Sequence, residues 1–132
     1  MLANGLDNIL NNFDFTDSIV TEVRWADNLV DLVVVVDYYW DIQEGRDTTR
    51  LLKIVFKNCS KADFQIEAEP PLNPDVVNRD SIFTIVLFRE RLGNQIDLVG
   101  KKCVDIFTTS YSKPWLSVGC SDVMLEETSY PS

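Results

Sequence analysis

Ser18-Ile19-Val20-Thr21-Glu22-Val23-Arg24-Trp25-Ala26-Asp27-Asn28-Leu29-Val30-Asp31-Leu32-Val33-Val34-Val35-Val36-Asp37 is the stretch on which the fold turns. Up to Trp25 its β-branched and aromatic residues follow a period of two, which sends successive side chains to opposite faces of a strand. The second run, Leu29 to Trp40, is apolar enough to be a strand covered on both faces. Between the runs Asp27 and Asn28 both tolerate positive φ, so a two-residue hairpin turn is expected there. Register follows from that turn. Trp25 falls opposite Val30, Val23 opposite Leu32, Thr21 opposite Val34 and Ile19 opposite Val36, giving one apolar face. On the other face Arg24 falls opposite Asp31 as a cross-strand ion pair. A slip of one residue would destroy both features.

Upstream, Leu6, Ile9, Leu10 and Phe13 recur at helical spacing, predicting one short helix over residues 4–13, with Asn4 as its cap and Asp7 in the first turn. Downstream the period of two returns. Leu52, Ile54 and Phe56 alternate with Lys53, Val55 and Lys57, and Ala62 to Glu69 repeats the pattern. Pro70-Pro71-Leu72-Asn73-Pro74-Asp75 opens a loop that ends near Asp80. Ser81 to Arg89 reads as a central strand, Gly93-Asn94 as a turn, and Gln95 to Val99, Lys102 to Thr109 and Trp115 to Cys120 as further strands. Glu126 to Ser132 read as a frayed tail. About eight short strands, no second helical pattern and no repeat predict a single mainly β domain over residues 1–132, an antiparallel β-sandwich or partly open barrel.

A chain of 132 residues that is 45% hydrophobic and 25% charged is long enough to bury a core without metals or disulfides. Its first residues lack a basic leader followed by an apolar segment, and no apolar run reaches membrane-spanning length, so a cytoplasmic protein with no membrane partner is expected. The 3 cysteines, Cys59, Cys103 and Cys120, have no metal-type spacing and fit packed, reduced thiols. The three tryptophans, Trp25, Trp40 and Trp115, fit core packing.

The chain has no histidine, so the commonest general base, nucleophile activator and metal ligand are missing together. Neither a Walker A sequence nor G-x-G-x-x-G or G-x-S-x-G occurs. Carboxylate chemistry remains open through a pair such as Glu67 and Glu69. Asn73, Asp75, Asn78 and Asp80 offer oxygen ligands for calcium, but without the glycine and terminal glutamate of an EF-hand they read as a polar turn. No catalytic residue, cofactor or metal is expected.

Charge is distributed unevenly. Residues 1–47 hold ten carboxylates against only Arg24 and Arg46, and so account for eight of the nine net negative charges. A one-signed field steers association, and large aromatics beside acids suit an interface. Asp37, Tyr39, Asp41, Glu44 and Asp47 are therefore the candidate partner-binding residues, and the expected partner is a basic protein. Alternation places Tyr38 and Trp40 on the core face and Asp37, Tyr39 and Asp41 on the other, where Lys53 could pair with Asp37. The competing reading is a solvated acidic face. Nucleic acid is disfavoured by the charge. A small-ligand or saccharide-binding barrel, with a carboxylate-dependent enzyme as one form of it, is the alternative function, and homodimerisation through an edge strand is a third.

The succession Phe15-Thr16-Asp17-Ser18-Ile19-Val20, a long apolar strand, then Leu52-Lys53-Ile54-Val55-Phe56-Lys57-Asn58-Cys59 resembles the opening of small uncharacterised bacterial β-rich proteins. Some of these resemble the immunity proteins that neutralise polymorphic toxins. The resemblance covers roughly the first half of the chain and implies a non-enzymatic, acidic inhibitor bound to a basic toxin domain. In that pattern a histidine often precedes the Asp-Ser pair. Thr16 stands there in this chain, so the resemblance carries over no site residue.

Overall fold

A computed structural model of the chain describes residues 2–65, 83–91, 101–108 and 113–128. The elements run β1 (Ala3–Asn4), α1 (Leu6–Asn12), β2 (Ile19–Trp25), β3 (Leu32–Tyr38), α2 (Trp40–Gln43), β4 (Arg50–Lys57), β5 (Lys61–Phe64), β6 (Leu87–Glu90), β7 (Lys102–Phe107), β8 (Leu116–Cys120) and β9 (Asp122–Thr128). They form two open antiparallel sheets, one of five strands in the order β1-β9-β4-β3-β2 and one of four in the order β5-β8-β7-β6. The expected mainly β architecture is therefore present as two open sheets, and not as a closed barrel.

One apolar core lies between the sheets. Leu32, Val34, Val36 and Tyr38 of β3 meet Leu52, Ile54 and Phe56 of β4, Val123 and Leu125 of β9, and Val104, Ile106, Leu116 and Val118 of the second sheet. The valine run has a second role. Val33 and Val35 point the other way and cluster with Leu51 and Val55, which is why β3 is apolar at every position up to Asp37. Helix α1 buries Leu6 and Ile9. Its N-terminus begins at Gly5 (φ 98°), not Asn4, which belongs to β1. The Leu6 amide donates instead to Asp122 Oδ1 of β9 at 3.1 Å, so a distant carboxylate supplies the cap. No helix among the described residues is long and apolar enough to cross a membrane.

The hairpin departs from its expected register. Trp25 pairs with Leu32, Arg24 with Val33 and Val23 with Val34, and the connection is correspondingly longer. Asn28 organises it. Its Oδ1 accepts from the amides of Val30 (3.0 Å) and Asp31 (3.1 Å), while Leu29 takes the left-handed conformation at φ 62°. A bulge then shifts the ladder between Val20 and Glu22, so Val20 faces the core and Thr21 is exposed. The expected Arg24–Asp31 pair is absent. Arg24 lies 3.3 Å from Glu22, and Asp31 turns toward β4, where Lys57 Nζ donates to it at 2.6 Å and the Asn58 amide at 2.9 Å.

Other expectations also shift. The end of the predicted central strand, from Leu87 to Arg89, falls in β6, an edge strand among the described residues, because β7 is its sole partner there. Glu126 to Thr128 do not fray but pair with Leu51 to Lys53 of β4. Trp25, at the end of edge strand β2, is 46% exposed and not a core residue. The expected strand beyond Gln65, the proline-rich loop, Gly93-Asn94 and Gln95 to Val99 lie outside the described residues. So do Glu67, Glu69, Asn73, Asp75, Asn78 and Asp80. All three cysteines are free thiols, and burial pushes Cys120 up to about 12.

Candidate functional site

The acidic aromatic stretch does not continue the strand. At Tyr39 the backbone enters the helical region (φ −65°, ψ −31°) and Trp40–Gln43 form the one-turn helix α2, which Gly45 closes at φ 92°. The Gly45 amide donates to the Ile42 carbonyl, and the Arg46 amide to that of Asp41. Parity therefore fails beyond Tyr38. Tyr38 is in the core as expected, and Trp40 packs on the core's margin.

Asp41 is the main correction. Expected on the acidic surface, it has no exposed area at all. Arg50 grips it from β4: Nη2 donates to Oδ1 at 2.8 Å, Nε to Oδ2 at 3.0 Å, and the Arg50 amide to Oδ2 at 2.9 Å. Arg46 Nε stands 3.6 Å from Oδ1. Burial alone would raise this carboxyl's pKa, but the Arg50 bonds and charge outweigh it and hold the group below its ordinary value. Asp41 is a clamp fixing α2 to β4.

Asp37 is also displaced from its expected role. It lies opposite Leu51 and Ile19, while Lys53 pairs with Glu126 at 3.1 Å. Asp37 Oδ1 is the one buried side-chain polar atom without a hydrogen-bond partner among the described residues.

Tyr39, Glu44 and Asp47 do reach the surface together with Ile42, a residue the sequence reading missed. Tyr39 is 40% and Ile42 42% exposed. The turn leading into β2 packs against this helix. The Tyr39 amide donates to the buried Ser18 hydroxyl at 3.0 Å, and the Asp14 amide donates to the Tyr38 hydroxyl at 3.1 Å. Burial raises the Tyr38 pKa, and the charges of Glu44, Asp41 and Asp14 raise it further, so these acids gather at one end of the molecule. Asp14, Asp17, Glu44 and Asp47 are exposed, and none makes an ion pair among the described residues. A glycine four residues after Asp41, marking a helix end, is the signal that could have found α2 and placed Ile42 on its outer side.

The fold and this end of it define an all-β domain of two open sheets bearing an acidic surface with exposed apolar side chains. No protein-family model, curated protein or solved structure matches the chain.

Proposed function

We propose that the chain is a non-enzymatic protein-binding domain whose acidic end, around Tyr39, Ile42, Glu44 and Asp47, docks a basic protein. The observation that carries this reading is the exposure of Tyr39 (40%) and Ile42 (42%) on a helix turn fixed from beneath by Asp41 and Arg50. Exposed aromatic and aliphatic groups on a rigid support lose little freedom on association, and unneutralised carboxylates around them favour a cationic partner in encounter and register. Asp14 and Asp17 extend the same surface. In its most specific form the reading is immunity-type inhibition, in which the acidic end covers a basic toxin domain, as the resemblance of the first half of the chain implies.

The test is capture from the source cell by the wild type and by a Glu44→Lys/Asp47→Lys variant, followed by titration of the purified retained protein. A basic protein held by the wild type and lost by the variant supports the reading. Equal binding by both removes it.

A further inference from the structure

Among the described residues β2 is an edge strand of the five-stranded sheet, and the segment leading to β6 meets its start. The Asp17 amide donates to the Ile85 carbonyl at 2.7 Å, the Ile85 amide donates to that of Ser18 at 2.8 Å, and Ile19 bridges Thr84. At Phe83, the next described residue of that segment, the backbone is helical. Among the described residues Thr21 to Trp25 have no strand on their outer edge. Between this part of β2 and Phe83 lies a cleft of about 240 Å³, lined by Val20, Thr21, Glu22, Val23, Phe83 and Trp115. Trp25, on the same side of β2 as core-facing Val23, remains 46% exposed at the strand's far end.

An open edge is a template for another strand, and the side chains decide which one. Thr21-Glu22-Val23-Arg24-Trp25 is complementary to itself when run antiparallel. A two-fold axis through Val23 sets Glu22 of each copy opposite Arg24 of the other, on the outer face where the two already lie 3.3 Å apart within one chain. The same axis brings Trp25 of each copy to the bulge at Thr21 of the other, beside core-facing Val20. There the exposed indole meets the cleft that Phe83 and Trp115 line. We propose that two copies of the chain associate through β2, with reciprocal Glu22–Arg24 pairs and Trp25 seated in the opposite copy's cleft. The net charge of −9 repels a second copy at long range, but screening over about 8 Å at physiological ionic strength leaves these local pairs to decide the contact. The proposed contact uses none of Tyr39, Ile42, Glu44 and Asp47.

Analytical ultracentrifugation of the full chain, from low to high micromolar concentration, tests the proposal. The wild type is expected to dimerise with concentration. Arg24→Glu sets glutamate against glutamate at two symmetric places and weakens the dimer at least about tenfold. Adding Glu22→Arg to the same chain restores it, because the two-fold axis exchanges the positions. Trp25→Ala weakens the dimer while the Tm holds. A monomer throughout, or a dimer indifferent to Arg24→Glu and Trp25→Ala, overturns the proposal. A charge-swapped double variant that folds but fails to regain the dimer also overturns it.

Discussion

The Asp41 carboxylate and the Arg50 guanidinium face each other in a two-pronged pair, Nη2 to Oδ1 at 2.8 Å and Nε to Oδ2 at 3.0 Å, with the carboxylate wholly buried. The pair ties a helix turn to the adjacent strand and stands over the Tyr38 ring, 5.9 Å from the guanidinium carbon.

Removing one member leaves the other desolvated and unpaired. Asp41→Ala is therefore expected to cost about 3 kcal/mol of folding stability, read by urea denaturation at neutral pH. Glu44→Lys and Asp47→Lys, at exposed positions without ion pairs, should each change it by under about 0.5 kcal/mol. An Asp41→Ala variant as stable as the wild type would show that the clamp does not hold the turn.

Asp31 makes stability depend on acid. Its hydrogen bond from Lys57 lowers the pKa from 3.8 to about 2 against the opposing effect of burial, with the Asn58 amide and Asn28 assisting. A carboxyl whose pKa falls on folding stabilises fully above its open-chain value and loses that contribution as pH drops through the folded one. The window is from about pH 5 down to about 2, and the amount is about 1 kcal/mol after screening at the partly exposed Lys57. Asp41, also lowered, acts in the same direction. Denaturation curves between pH 6 and 2 should show Asp31→Asn flattening this loss, and an unchanged acid profile would remove Asp31 from the account.

Leu29 is left-handed at φ 62° with 75% of its surface exposed. A leucine gains little there and bears the strain of that conformation, whereas asparagine tolerates it. Leu29→Asn should raise stability by about 0.5 to 1 kcal/mol. A loss would mean that the exposed leucine has packing value in the hairpin.

The same loop shows what could and could not be read in advance. Period-two alternation made β2, β3 and β4 legible because each strand has a buried face that permits few alternatives. The turn between the first two was not, because Asn28 bonds two amides ahead of it and lengthens the loop. The bulge near Thr21 then moved Val20 into the core, a local event that no alternation pattern encodes. At the candidate site the acidity and Tyr39 were legible from composition. The burial of Asp41 was not, because its partner Arg50 lies nine residues away and meets it only after the chain has turned through α2. Asp122 capping α1 from β9 is the same kind of long-range contact.

The central claim is that Tyr39, Ile42, Glu44 and Asp47 form the docking surface for a basic protein. Calorimetric titration of the captured, purified partner into wild type, Glu44→Lys/Asp47→Lys and Asp27→Lys tests it most directly. Asp27 is an exposed acid at the far end of β3, and its reversal reports the effect of a charge change away from the site, at half the net change of the double variant. The expected result is a salt-sensitive complex weakened by at least about tenfold in the double variant and by far less in Asp27→Lys. Equal affinities for the wild type and the double variant, or equal losses in both variants, would contradict it.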